Sequence, residues 1–560
     1  MKRSFFILSF SLCITLFAQE GTNNQSEIDS IFSQWQNKEV PGVTAGLIYG
    51  DNIKYTIASG LADVEGKKKN TAQTKFQIGY VSRQFIIFAA LLLEHQGKLA
   101  MDDPIQKYLP DFPVYEHTLA ISHLINNSSG LNDPAVYKRI MGIQTEDIFT
   151  SQDAMNLIQQ QKVLNFIPGT QFSHMTSQVE LLLLKEIIEK ASGQSLSAFA
   201  TVHIFAPIEM DNTLFTEDYN SIVINKAHSY QNQEDEFKLR KINAGKVLYT
   251  TAEDMTKWYS ILTGKSAFEL SSIIQQLDNP VKLDDGTEFD SWWGKLTLGR
   301  SFFHTERGLP AYWQFGRIGG YAANVFRFPE QEMTSFVLGN NNVYNGMPAM
   351  LHANHYIEKE YTEPASITVD QIKSRKLSPG SLKKYEGYYW NSKRGIARKI
   401  EVVSDSLQYF RLGQERGTYM LPLAHKDNFQ LVTEGDEKIV FSFKDIGSNT
   451  SYGIVLGESA PSIYRKYSPI QYSVEDLQDF TGSFYSSTLR VGYDFMVTDG
   501  QLVGVGPKGN IVVFHPVMPD TFRSDSFEFG SIIFKRNSSG TITRFSIFTD
   551  GIQGLPFIKI

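Results

Sequence analysis

Two hydrophobic rhythms divide this chain. Up to about Glu363-Pro364 it carries helical patterns, the clearest being Leu181-Leu182-Leu183-Leu184-Lys185-Glu186-Ile187-Ile188-Glu189-Lys190-Ala191-Ser192-Gly193, where Gly193 is placed to end the helix. From there to Ile560 the helical patterns stop. Short runs of alternating apolar and polar residues, separated by turn residues, predict an all-β region. That region repeats itself. Leu382-x-x-Tyr385-x-Gly387-x-Tyr389 recurs as Leu477-x-x-Phe480-x-Gly482-x-Phe484, 95 residues on. Asp405-Ser406-Leu407 is answered by Gly500-Gln501-Leu502, Pro422 by Pro516, Asp427-Asn428-Phe429 by Asp520-Thr521-Phe522, and Phe443-Lys444 by Phe534-Lys535. Two strand-rich copies of roughly 90 residues predict two small antiparallel barrels, whose recurring aromatic positions read as core plugs.

The first residues follow a different pattern. Lys2 and Arg3 precede an apolar run from Phe5 to Phe17 that ends at Ala18. This predicts a signal peptide cleaved before Gln19, and hence a secreted or periplasmic protein. The run is too short for a membrane span of about 20 residues, and no later stretch is apolar enough to be one. Cys13 is the only cysteine. Leu12 before it is larger than the small residue a lipid anchor uses, and apolar residues continue beyond it, so full cleavage and a chain without disulfides are expected. The formal net charge is −7, which becomes −9 without Lys2 and Arg3. Charges of both signs are interspersed, which excludes a basic nucleic-acid face. Lys67-Lys68-Lys69 reads as a solvated turn between strands. The acidic run Asp284-Asp285-Gly286-Thr287-Glu288-Phe289-Asp290 reads as a hairpin turn, so neither a metal nor a cofactor is expected.

The segment Phe76-Gln77-Ile78-Gly79-Tyr80-Val81-Ser82-Arg83-Gln84-Phe85 resembles the nucleophile helix of the β-lactamase and penicillin-binding-protein superfamily of serine hydrolases. There the run reads Phe-x-Ile-x-Ser-x-Ser-Lys-x-Phe, and the first Ser is acylated. Tyr80 stands at the nucleophile position and Arg83 at the Lys position. The register is held by Gly97-Lys98-Leu99, Met101-Asp102-Asp103-Pro104 and Lys107-Tyr108-Leu109-Pro110, which follow without a gap. A Ser-x-x-Lys pair opening a helix places both side chains on one face, and the Lys can exchange the hydroxyl proton. A tyrosine offers a phenol with a reference pKa of about 10, and an arginine stays protonated and cannot act as a base.

The other two motifs of the family are also replaced. Its Tyr-x-Asn should follow a Pro-Gly turn, here Pro168-Gly169-Thr170-Gln171-Phe172. Counting forward from Pro168 places His174 and Thr176 at the Tyr and Asn positions. Counting back from Gly193 places Thr176 and Gln178 there, and a loop absorbs two extra residues more easily than a helix interior. The third motif, His-x-Gly or Lys-Thr-Gly on a strand, becomes Gln314-Phe315-Gly316, with Gly320-Tyr321 after it. Gly316 is retained, as suits a strand approached closely by another backbone. Further segments agree in order: Pro41-Gly42-Val43, Asn127-Ser128-Ser129-Gly130-Leu131, and Leu248-Tyr249-Thr250-Thr251-Ala252-Glu253-Asp254-Met255. Ser381-Leu382-Lys383-Lys384 has Ser-x-x-Lys spacing but lies at the entry to a β domain, and is discounted.

The resemblance implies an α+β fold: a β-lactamase/transpeptidase-like domain, with an antiparallel sheet flanked by helices, followed by two small antiparallel, lipocalin-like β-barrels. The expected partition is a signal peptide over 1–18, the β-lactamase-related domain over 19–363, a linker over 364–380, and barrel repeats over 381–468 and 469–560. This order is similar to that of the D-aminopeptidase branch, in which barrel loops restrict the cleft. Three functions stay open. The first is a catalytically inactive homologue binding a peptide or peptidoglycan-like ligand, with Arg83, Gln178 and Gln314 contacting a carboxylate. The second is an active hydrolase of esterase, D-aminopeptidase or DD-carboxypeptidase type with a rearranged set, using Tyr80, Ser82 or Ser177 and His174 as base. The third is an interaction protein acting through the barrels. The sequence does not indicate an oligomeric state.

Overall fold

The computed structural model describes residues 30–36, 38–50, 52–144, 147–173, 178–233, 236–240, 245–263, 269–291, 293–341, 347–357, 374–392, 395–411, 416–432, 439–447, 449–456, 462–524, 529–549 and 551–560. The expected signal peptide, with Lys2, Arg3 and Cys13, lies outside them, as do His174, Thr176, Ser177 and most of the expected linker. The chain divides into two compact units. One gathers residues from 1–92, 194–279 and 299–363, the other from 93–193, 280–298 and 364–560.

The first unit is built on six antiparallel strands: β1 (Val43–Tyr49), β2 (Asn52–Ser59), β3 (Phe302–Glu306), β4 (Leu309–Ile318), β5 (Tyr321–Phe328) and β6 (Met333–Gly339). They lie in the order β3-β4-β5-β6-β1-β2, so the first strand of the chain pairs with the last of the unit, Val43 opposite Gly339. Every residue of β5 and of β6 is buried. Such continuous burial requires both faces of the sheet to be covered. On one face, Val43, Ala45 and Leu47 of β1 share a cluster with Phe326 and Phe328 of β5, Val337 of β6, and Ala349 and Ala353 of helix α6 (Met347–Tyr356). On the other lie α1 (Arg83–His95) and α5 (Ala252–Thr263). There the Trp258 ring packs 4.5 Å from Phe85, and Tyr259 sits 6.1 Å from Phe336 of β6.

The second unit carries the helices α2 (Pro134–Ile140), α3 (Ser151–Ile158) and α4 (Val179–Ser192) and two closed eight-stranded antiparallel barrels. The first barrel has β7 (Gly387–Asn391), β8 (Ile396–Val403), β9 (Ser406–Arg411), β10 (Thr418–Pro422), β11 (Asn428–Leu431), β12 (Ile439–Lys444), β13 (Ser451–Leu456) and β14 (Ser462–Tyr467). The second has β15 (Gly482–Ser486), β16 (Val491–Thr498), β17 (Gln501–Val505), β18 (Ile511–Met518), β19 (Thr521–Ser524), β20 (Ser531–Arg536), β21 (Ile542–Thr549) and β22 (Ile552–Lys559). Pairing of the first strand with the last closes each, Tyr388 opposite Tyr467 in one and Phe484 opposite Lys559 in the other. The repeated aromatic positions are the plugs. Tyr385, Tyr389, Phe429 and Phe443 fill the first barrel, and Phe480, Phe484, Phe522 and Phe534 fill the second. The second barrel does not close its core alone, because Val136, Tyr137 and Ile140 of α2 and Leu157 of α3 belong to the same apolar cluster.

Candidate active site

The turn before α1 sets the site. Gly79–Ser82 forms a 3-10 turn and the α-helix starts at Arg83, so Tyr80 stands on the turn rather than opening the helix as expected from sequence. Two features hold it there. The Ser82 hydroxyl donates back to the Gly79 carbonyl at 2.7 Å. Gly79 takes a left-handed φ of +51°, and a Cβ on it would sit 2.7 Å from the Arg317 nitrogen of β4. Gly316 makes the reciprocal approach, since a Cβ there would lie 2.0 Å from the Ile78 carbonyl oxygen and 2.7 Å from the Tyr80 nitrogen. Gly316 is thus the residue that lets the Tyr80 turn lie against the strand.

Tyr80 is half-buried, and Arg83 is only 4% exposed. The guanidinium carbon lies 4.1 Å from the centroid of the Tyr80 ring, a cation–π contact. Tyr80 and Arg83, which the sequence resemblance sets at the nucleophile and lysine positions, are therefore stacked on each other. Neither guanidinium nor carboxamide offers a side-chain base at neutral pH, so Arg83, Gln84 and Gln314 cannot take a proton from a nucleophile.

Gln314 is buried on the face of β4 that carries Gly316. Its Nε2 donates to the Gly299 carbonyl at 2.7 Å, and its Oε1 accepts from the Tyr259 hydroxyl at 2.9 Å and from Gln84 Nε2 at 3.3 Å. Gln84 Nε2 also lies 2.9 Å from the Val81 carbonyl and 3.1 Å from the Tyr259 hydroxyl, while its Oε1 accepts from Trp258 Nε1 at 2.6 Å. Burial pushes the Tyr259 phenol far above its usual range despite the Gln84 hydrogen bond, so it remains a neutral donor. Gln314, which the sequence resemblance sets at the cationic position of the third motif, is one node of a buried amide–phenol–indole network. Beside it Arg327 makes a two-pronged ion pair with Asp278 and stacks 4.3 Å over Tyr312. Gln84, Tyr259, Asp278, Tyr312, Gln314 and Arg327 line a cavity of about 10 Å³, at the lower limit for one water. Sequence reading did not find Gln84, Trp258 or Tyr259. They carry no motif, and Gln84 and Tyr259 meet across a separation of 175 residues.

In the second unit Gln178 is exposed and stands immediately before α4, making no side-chain cap. The helix runs unbroken from Val179 to Ser192, and Gly193 closes it at φ +71° with its nitrogen bonded to the Glu189 carbonyl. The Pro168-Gly169 turn is laced to the segment after Asn126: Gly169 N donates to Ser128 O at 2.9 Å, and Ser173 N to Asn127 O at 2.7 Å. The fully buried Glu180, in the first turn of α4, accepts from Ser129 Oγ at 2.8 Å. The discounted Ser381 is exposed and lies 2.7 Å from Ser378 Oγ, while Lys384 Nζ bonds Asp427, so the two are not paired with each other.

Among the described residues, one metal-compatible cluster lies elsewhere in the first unit. Asp63, Glu65 and His228 bring ligand atoms within 4.8 Å of one another. Tyr230 donates to Glu65, Gly66 N donates to Asp63 Oδ1 at 2.9 Å, and His228 Nδ1 lies 3.5 Å from the same oxygen. No spacing in the sequence announced it, because the two carboxylates and the histidine come from distant segments.

With this geometry in view, the chain can be set beside known proteins. Residues 28–356 match the Beta-lactamase family. A D-aminopeptidase of Brucella canis is 28% identical over 259 residues, which are 45% of this chain and 48% of that protein. A D-aminopeptidase of Brucella anthropi is 30% identical over 190 residues, 32% of this chain and 35% of its own length. The chain thus spans about half or less of the length of the curated relatives it matches. Among solved structures, the octameric penicillin-binding protein homologue from Pyrococcus abyssi superposes with a TM-score of 0.51 at 19% identity, covering 80% of this chain and 100% of its own, a likeness of fold. With more than half of its length matched and a sheet flanked by helices in place, the chain belongs to the Beta-lactamase family.

Proposed function

We propose that this protein is a secreted, non-acylating member of the family that serves as a binding scaffold for a peptide or peptidoglycan-like ligand. The observation that carries the reading is the Tyr80–Arg83 stack. A half-buried Tyr80 ring has the Arg83 guanidinium 4.1 Å from its centroid, and these are the two residues that the sequence resemblance sets at the nucleophile and lysine positions. Removing a nucleophile from such enzymes costs about 10⁶-fold in turnover, leaving roughly 10³–10⁴ over water. The third motif adds to this, because a buried, hydrogen-bonded Gln314 supplies no cation for a substrate carboxylate. The D-aminopeptidase relatives point to peptides that carry D-residues as the ligand class.

The test has two arms. Exposure to a fluorescent penicillin and to a p-nitrophenyl ester, followed by intact-mass spectrometry, should show an unchanged mass. A covalent adduct on Tyr80, Ser82 or Ser177 refutes the first half of the proposal. Calorimetric titration with D-Ala peptides and muramyl peptides should give saturable binding that weakens in Tyr80→Ala; no heat with any of them refutes the second half. Secretion is tested by sequencing the amino terminus of the exported protein, expected to begin at Gln19.

A further inference from the structure

The two barrels are copies of one design, and they differ where it matters for a ligand. In β8, Ile396, Ile400 and Val402 belong to or pack against the interior cluster of the first barrel. Side chains alternate along a strand, so Arg398 points the same way, into the barrel. Arg411 of β9 lies directly opposite Arg398, and Tyr389 of β7 lies opposite it on the other side. Like charges facing each other across a strand pair repel, and among the described residues neither guanidinium has a carboxylate partner. Arg398 spends Nε on the Tyr409 hydroxyl at 2.7 Å and Nη1 on the Ala397 carbonyl at 2.8 Å. Deeper in, Tyr452 of β13 is fully buried, its ring stacked 5.0 Å from Tyr464 of β14, and its hydroxyl is buried without a hydrogen-bond partner. Burial holds that phenol well above its usual pKa, so it is a donor in need of an acceptor.

The second barrel shows what the same positions look like with nothing left over. Tyr452 lies opposite Phe443 and Tyr464, and Phe545 lies opposite Phe534 and Phe557 in the same register. The Phe545 and Phe557 rings stack at 4.7 Å with no hydroxyl to satisfy. At the place of Arg398, 95 residues on, stands Tyr493, whose hydroxyl donates to the Ile140 carbonyl of α2 at 2.8 Å. Helix α2 closes that core, whereas among the described residues every member of the first barrel's apolar cluster lies between residues 377 and 464. Ile396, Arg398, Tyr409, Ile439 and Ile454, spread over four strands near one end, are only half-buried. An eight-stranded barrel has room for its own side chains or for one small ligand.

We propose that this end of the first barrel binds a small organic carboxylate with an apolar body. The carboxylate sits between the Arg398 and Arg411 guanidinium groups and accepts from the Tyr452 hydroxyl, and the apolar part lies against the aromatic interior. The site is independent of Tyr80 and Arg83, so it stands whether or not the family domain binds peptides.

Calorimetry on the full chain tests it, with acetate, phenylacetate and decanoate each run beside its primary amide. Phenylacetate or decanoate should bind, and the matching amide should bind at least about tenfold more weakly, as expected when a hydrogen-bonded charge is lost. Arg398→Gln should weaken the acid by a similar factor with its circular dichroism unchanged, and Tyr452→Phe by several-fold. Failure of both larger acids to bind, equal binding of the amides, acetate binding as tightly as the larger acids, or unchanged affinity in folded Arg398→Gln each overturns the proposal. Where Arg398→Gln does not fold, Tyr452→Phe decides, since the second barrel already holds phenylalanine at that place; unchanged affinity there overturns it too.

Discussion

At Gly316 the Tyr80 turn and strand β4 meet backbone to backbone. A methyl group there would lie 2.0 Å from the Ile78 carbonyl oxygen, and no side-chain rotation relieves a clash with main chain. Overpacking typically costs 1–3 kcal/mol. Gly316→Ala is expected at or beyond the top of that range, about 3 kcal/mol, read as a lowered denaturant midpoint with unchanged slope. Gln314 sets a second expectation. Reverting Tyr80→Ser together with Arg83→Lys restores a hydroxyl and an amine, but the third position remains an amide bonded to Tyr259, Gln84 and Gly299. The double variant should show no penicillin adduct by mass spectrometry. His352 sets a third. It is fully buried against Phe32, with Nδ1 3.2 Å from Ser335 Oγ, and burial, aided by His355, lowers its pKa to about 3. The unfolded chain binds this proton below about pH 6.5, whereas the folded protein does so only near 3. Its contribution to stability is therefore intact above about 6.5 and is lost as pH falls toward 3. His352→Gln, which keeps an acceptor for Ser335, should lose less stability than the parent between those limits in acid-denaturation curves.

Among the elements, α4 was the most legible in the sequence. Its apolar spacing and Gly193 mark its course and its end, and the structure adds only the first two residues at its start, Val179 and Glu180. Gly193 is left-handed at φ +71°, and a Cβ placed on it would meet no atom within 4 Å, so Gly193→Ala tests conformation without steric confusion. A cost of about 1 kcal/mol is expected in thermal denaturation. The barrels were legible for a related reason, since a repeat in sequence forces a repeat in register, and the paired aromatics fall at matching places. The start of α1 was not legible. The side chains from Gly79 to Arg83 fit a helix, and it is the close approach of β4, more than 200 residues away, that holds Gly79–Ser82 as a tighter turn. Periodicity reports which face of an element is buried and says nothing of what buries it. The Gln84–Tyr259–Gln314 network stayed hidden for the same reason, each member looking like an ordinary core or helix residue until tertiary contact joined them.

For the molecule as a whole, the sequence pattern suggests that the chain could be cut near Glu363 into a family domain and two appended barrels. The second unit argues against so clean a cut, because α2 and α3 lie within the family-matched residues and yet share a core with the second barrel. Polar contacts reinforce that seam: Tyr493 donates to Ile140 O, Asp133 N donates to Gly551 O at 3.1 Å, Gln553 N donates to Asn165 Oδ1 at 3.0 Å, and Lys508 pairs with Asp147. Removing residues 469–560 would expose Val136, Tyr137, Ile140 and Leu157 together. Each such side chain is worth roughly 1.5–3 kcal/mol when fully buried, so about 6 kcal/mol or more is withdrawn from a unit whose total stability is of the order of 5–15 kcal/mol. The truncated chain is expected to aggregate or to bind a hydrophobic dye, and its α2–α3 amides should lose protection in hydrogen exchange. Ile140→Asp in the full chain should reproduce the loss locally, with exchange rising both in α2 and in the facing strands of the second barrel. A truncation that stays monomeric, with α2 as protected as in the full chain, would mean that the shared cluster contributes little and that the barrel is a separable attachment.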